Sequence, residues 1–329
     1  AAHAAALRGY QRSALDDRSV EGRIAIDHGK LQEGSFPEVL GALTKLGKDD
    51  LGERARLFSL LKTNLRFNEE DVEEAERMIR EGSPDTATLI DALGSAGSAR
   101  AQEVLQSVVR EDTFGDDERR RALISLSMAE QPSAETIALL QGLTEDPVYG
   151  KQALYGLGSA AYNLNSSRPE TARELTAAMT RRLEGTADPN QRVVLLKAVG
   201  NAGHVDSLEV LGRQLKDPDP AVRGTAVWAL RRIPGEQAEQ AIALALRSDP
   251  APSVKLKALD AFEYRSPAPV LVYALRDSLQ GEEHVGVRRG VVRAAMRWAH
   301  AAPVLRAPLQ HLATSDPDEK IRRLLEGLK

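Results

Sequence analysis

Arg289, Arg293 and Arg297 recur every four residues, and His300 falls on the same side if the segment is a helix. Val287, Val291, Ala295, Trp298 and Ala302 then define the opposite, apolar face. Guanidiniums in a row form a ladder suited to a carboxylate- or phosphate-bearing partner, because each offers a planar, permanently charged fork of donors. Residues 285–329 carry nine Lys/Arg against four Asp/Glu, so this end is basic although the chain has a net charge of −4. A solvated basic helix face produces the same pattern.

Trp228 is the second residue with binding chemistry. If Val222, Ala226, Ala229, Leu230 and Ile233 form an inward stripe at helical spacing, Trp228 points off that stripe with Val227 and Arg231 near it. A partly exposed Trp on a helix lining a concave surface anchors a peptide or an apolar ligand. In a stacked array, off-stripe residues also fill the seam to the next repeat. The candidate partner-binding residues are therefore Trp228, Arg231, Arg289, Arg293, Arg297 and His300.

Nothing else reads as a reactive centre, so no catalytic residue, metal site or cofactor is expected. Gly156-Leu157-Gly158-Ser159-Ala160-Ala161 fits G-x-G-x-x-A, but it falls late in a helical segment, where the dinucleotide motif needs a strand before and a helix start after. Glycine there permits close helix approach. The six histidines form no H-x-x-x-H pair, and none is followed by Glu. The absence of cysteine removes disulfides, thiolate metal sites and cysteine nucleophiles together. The acidic run from Glu69 to Glu76 suits the positive end of a helix dipole. Asn165-Ser166-Ser167 is a glycosylation acceptor only in a secretory setting.

The elements that position these residues repeat. An apolar, Ala-rich run ending in small residues recurs at 89–97, 122–130, 153–161, 195–203, 226–234, 256–264 and 291–299. Aligning Leu93, Leu126, Leu157, Val199, Leu230, Phe262 and Met296 gives intervals of 33, 31, 42, 31, 32 and 34 residues, the period of short HEAT-like helix pairs with one insertion. The insertion is expected as a longer loop at 162–168. Asp-Pro corners keep the same beat at Asp146, Asp188, Asp217, Asp249 and Asp316. Proline there presets the first turn at no cost in hydrogen bonds, while Asp side chains cap orphan amides. After the corner comes an apolar–basic pair such as Val222-Arg223, whose basic member is free to meet carbonyls or acids on the neighbouring repeat.

Ser35-Phe36-Pro37-Glu38 is a capping box opening helices near 36–46, 50–63 and 69–80. Before it, a short helix near 4–14 and a linker at 18–31 are all that can be read. The expected organisation is a linker or short helix over 1–34 and one HEAT-like α-solenoid over 35–329. Its class is all-α, a right-handed α-α superhelix of about 17–19 helices in eight or nine pairs. Composition agrees, with 42% hydrophobic but only 4% aromatic residues. No apolar run approaches the ~20 residues that span a bilayer. The start, AAHAAALRGYQRS, has neither Met nor a leader pattern, so a mature form or a fragment of a longer chain is expected.

The phrases LIDALGSAGSARAQEVL (89–105), ALISLSMAEQPSAETIALL (122–140), ALYGLGSAAYNL (153–164) and LLKAVGNAGHVDSLEVL (195–211), in that order, resemble the helical superhelix domain of the large lipid-transfer proteins, the vitellogenin and microsomal triglyceride transfer group. The resemblance covers about 36–265 and implies a curved two-layer helical arch flanking lipid-holding β-sheets. No long alternating strand series occurs here, so what carries over is the arch and its role as support or partner-binding surface. The resemblance implies an extracytoplasmic setting. The expected function is a non-enzymatic scaffold holding a protein or peptide on its concave helical face. The alternatives are a support domain of a larger lipid or lipoprotein carrier, and a HEAT-like nucleic-acid binder, against which the net charge speaks.

Overall fold

The computed structural model describes residues 34–47 and 49–328, and all regular structure among them is helical: eighteen α-helices and four short 3-10 turns. The helix expected near 4–14 and the linker at 18–31 lie outside the described residues. The described residues form two compact units, with the division between Ser98 and Ala99.

The first unit holds α1 (Phe36–Lys45), α2 (Leu51–Phe67), α3 (Glu69–Arg80) and α4 (Thr86–Ala96). Glu38 accepts hydrogen bonds from the Ser35 amide and hydroxyl at 2.9 Å each, closing the end of α1. Asn68 Oδ1 accepts from the Glu70 amide at 3.3 Å to open α3. The acids that follow answer the helix dipole or pair one turn on, as Glu76 does with Arg80 at 2.9 Å. The acidic run is thus a solvated helix start. Leu61, Leu65, Ala75, Leu89, Ile90 and Leu93 are wholly buried between α2, α3 and α4.

The second unit is seven helix pairs. The first helices are α5 (Ala99–Arg110), α7 (Ala134–Gly142), α9 (Pro169–Glu184), α11 (Leu208–Gln214), α13 (Glu236–Ser248), α15 (Pro269–Gly281) and α17 (Arg306–Ser315). Their partners are α6 (Asp116–Leu126), α8 (Gly150–Leu164), α10 (Pro189–Ala202), α12 (Pro220–Ala229), α14 (Pro252–Phe262), α16 (Val285–Trp298) and α18 (Glu319–Leu324). Helices α6, α8, α10, α12, α14 and α16 pack side by side, each on the next, as one layer.

Small residues set the spacing of that layer. A Cβ added at Gly158 of α8 would stand 2.1 Å from the Ala198 carbonyl of α10, and one at Gly200 would stand 2.6 Å from Ala229 Cα of α12. The glycines of the G-x-G-x-x-A stretch therefore serve helix packing, since α8 runs straight through it. The corner 200–203 likewise ends a helix, with Gly203 in the left-handed conformation at φ +59°.

The 42-residue interval is not a lengthened loop. Helix α8 continues through Tyr162 and Asn163 to the fully buried Leu164, and Pro169 then starts the sixteen-residue α9. Burying Leu164 favours extending the helix, and the added residues lengthen the pair itself. No helix among the described residues is long and apolar enough to cross a membrane.

Candidate functional site

Three of the Asp-Pro corners supply the side-chain cap of the second helix they precede, through Asp188, Asp219 and Asp318. Asp188 accepts from the amides of Asn190 and Gln191, and Asp219 from that of Ala221 at 2.7 Å. The corner acids do more than cap. Asp217, Asp249, Glu282 and Asp316 each receive the basic residue of the preceding second helix: Arg192, Arg223, Lys255 and Arg288 respectively. Arg223 grips Asp249 with two bonds of 2.9 and 3.0 Å, and Arg288 grips Asp316 with bonds of 2.8 and 3.2 Å. The acids are nearly buried and the bases mostly so, making a continuous ion-pair ladder that fixes the stagger between repeats.

A different cluster forms at the opposite, C-terminal ends of the second helices. After α12 the chain tightens into the 3-10 turn Leu230–Arg232, which brings Arg231 back onto Trp228, with the guanidinium carbon 3.3 Å from the ring centroid. The Tyr264 ring, just past α14, lies 5.4 Å from the same carbon. Arg231 is 3% exposed; it donates to Asn201 Oδ1 at 2.8 Å and to the Trp228 carbonyl at 3.4 Å, and its Nε meets no acceptor. Burial, with the neighbouring Arg232 charge adding to it, pulls the guanidinium down to about 9. It remains charged at neutral pH.

Arg232 turns toward α8, 4.6 Å from the Tyr162 ring, and donates to the Asn201 carbonyl at 3.3 Å. Tyr162 and Tyr264 are about half exposed and Arg232 is half-buried, so two rings and one guanidinium reach one surface with Arg231 buried behind them. Along the same layer, burial and the charges of Lys151 and Lys257 hold the Lys197 ammonium below its usual range. Among the described residues no three His, Asp or Glu side chains gather in a cluster able to hold a metal ion.

The arginine row of α16 is divided among separate tasks. Arg289 pairs with Asp318 at the cap of α18, and Arg297 with Glu263 beyond α14. Arg293 and His300 are exposed. The row does not act as one ladder toward solvent, because helices α14 and α18 each supply an acid within reach of one member. Trp228 is half-buried under Arg231, so its off-stripe position serves both the seam and the surface.

Helix pairs in this order have counterparts among known proteins. The family model described as the vitellogenin TPR domain matches residues 44–249. The chain belongs to that family. Among solved structures, a lipovitellin structure concerned with lipid–protein interactions matches at a TM-score of 0.58 and 19% identity over 89% of this chain. The chain spans 34% of the length of that lipovitellin chain. A Pds5–Scc1 complex matches at a TM-score of 0.38 and 13% identity, covering 89% of this chain and 52% of that one. Human deoxyhypusine hydroxylase matches at a TM-score of 0.33 and 22% identity, covering 89% and 95%. No curated protein sequence matches. The lipovitellin likeness shows the fold of this vitellogenin TPR domain to be the helical superhelix expected from its repeats.

Along the second-helix ends, Tyr162, Asn201, Arg232 and Tyr264 join the two sequence candidates Trp228 and Arg231. The signal that could have found them is positional. Each lies at or just past the C-terminal end of a second helix, so aligning the repeats by those ends puts them side by side.

Proposed function

We propose that this vitellogenin TPR domain is a non-enzymatic interaction module that binds a protein or peptide across the ends of its second helices. The observation that carries this reading is the surface shared by Tyr162, Tyr264 and Arg232, backed by the buried Arg231. Aromatic rings and arginines are the side chains that supply most of the energy in protein interfaces, since they bury large area and bond with fixed geometry. A photo-crosslinking side chain placed at Tyr162 or Tyr264 is expected to capture a protein from cell extract, whereas one at the exposed Tyr273 of α15 is not. Equal capture from all three positions, or from none, removes the reading.

The second reading, a support domain within a larger lipid or lipoprotein carrier, draws on the lipovitellin likeness. It expects lipid to co-purify with a longer chain that includes this array and not with the array alone.

A further inference from the structure

We infer that Arg231 and Arg232 form a receptor for a carboxylate, supplied by an acidic segment of a protein partner that lies between the Tyr162 and Tyr264 rings. The inference rests on the protein-binding reading and specifies the chemistry of its partner.

The ladder shows how this array treats a buried cation: Arg192, Arg223, Lys255 and Arg288 each meet a carboxylate of the next corner. Arg231 is as deeply placed as any of these and meets none. Its acceptors are all uncharged, the Asn201 amide oxygen, the Trp228 carbonyl and the Tyr264 hydroxyl; its Nε has no partner, and the charge of Arg232 acts against its own. Among the described residues no carboxylate pairs with either arginine. A buried charge without a counter-charge costs several kcal/mol of solvation, and a partner's carboxylate recovers part of that on binding.

The shape of the site selects the occupant. The rings hold the guanidiniums in fixed planes, and a guanidinium fork takes a carboxylate by two parallel bonds. Half-exposed rings on both sides offer apolar contact to residues flanking the acid. Arg232, half-buried, is reachable as it stands, and Arg231, buried beside it, adds its uncompensated charge to the site. Nucleic acid needs a longer track of phosphate contacts than two guanidiniums provide.

The test is anisotropy of short labelled peptides of Glu, Asp and Phe, compared with the same peptides carrying Gln and Asn for the acids. They are titrated against the full chain and its Arg232→Gln and Arg231→Met variants. The acidic peptide is expected to bind about tenfold or more tightly than its amide counterpart, to weaken with salt, and to lose a similar factor in either variant. Thermal melts of the variants separate lost binding from lost folding, and an Arg323→Gln variant on exposed α18 is expected to bind as the parent does. Equal binding of acidic and amide peptides overturns the carboxylate receptor and leaves the protein-binding reading standing. Absence of binding by both overturns the two together. Preference for a DNA duplex or an anionic phospholipid vesicle over the acidic peptide also overturns the receptor.

Discussion

The guanidinium of Arg231 is stacked on the ring of Trp228 at 3.3 Å, with only Ala229 and Leu230 between them along one turn of backbone. The 3-10 turn after α12 brings the side chains face to face, and Gly200 of α10 leaves the space the guanidinium fills, since a Cβ there would come within 2.9 Å of Nη1. The stack shields a charge that the interior would otherwise reject.

A pH dependence follows from that burial. The folded-state value of Arg231 is pulled down to about 9, so above that pH the unfolded chain holds a proton that the folded chain has lost. Stability then rises with pH, and the burden of the charge is full below the folded value. Measured against Arg231→Met, the parent is expected to gain on the order of 1 kcal/mol between about pH 8 and pH 10 in urea unfolding. A flat difference over that range contradicts the burial argument. Trp228→Ala, which removes the stack and half-buried ring area, is expected to cost about 2 kcal/mol.

The ladder predicts the opposite trend in acid. Burial raises the Asp249 carboxyl, but the hydrogen bonds from Arg223 and the Ala251 amide, with nearby positive charge, outweigh it and hold the group below the usual carboxylate range. Its contribution is present above the unfolded value near ~4 and is lost as pH falls through the lower folded value. Asp249→Asn is expected to cost about 2 kcal/mol at neutral pH, less than a fully buried pair because solvent reaches part of it. The gap between parent and variant should close toward about pH 2. A gap independent of pH assigns the loss to packing instead.

The ladder also marks how far the sequence could be read. Asp-Pro corners and the basic residue after them are local chemistry, so the pairing of Arg223 with a neighbouring repeat was legible from spacing alone. Glu282 was not, because that corner reads Gly281-Glu282-Glu283 and lacks proline, yet Lys255 meets it at 2.7 Å. The residues at 162–168 look like a loop in composition, and only the burial of Leu164 shows that helix α8 runs on. Tyr162 and Tyr264 lie 102 positions apart in the chain and face the same arginine pair through lateral stacking, which periodicity does not encode.

The small-residue seam sets a third expectation. Gly158 faces backbone, the Ala198 carbonyl, which no rotamer change can move aside. Gly158→Ala is expected to cost about 3 kcal/mol by forcing α8 and α10 apart. Gly212 in α11 has nothing within 4 Å of where its Cβ would be, so Gly212→Ala is expected to add about 0.5–1 kcal/mol through helix propensity. Paired urea titrations read both signs, and a loss at Gly212 equal to that at Gly158 removes the seam as the cause.

The α16 arginines, alike in sequence, are expected to separate under substitution. Arg289 reaches Asp318, whose carboxyl is held below its usual range mainly by that hydrogen bond, and Asp318 also caps α18 through the Ile321 amide at 3.1 Å. Arg289→Gln should therefore loosen α18 and lower the melting temperature, with faster amide exchange confined to the last helix pair. Arg297 and Glu263 are both well exposed, so Arg297→Gln should change stability by no more than about 0.5 kcal/mol. Arg293, exposed and without a carboxylate partner among the described residues, should leave the melt unchanged when replaced by Gln. Equal shifts for all three would mean that the row acts as one unit, against the separate partners its members hold.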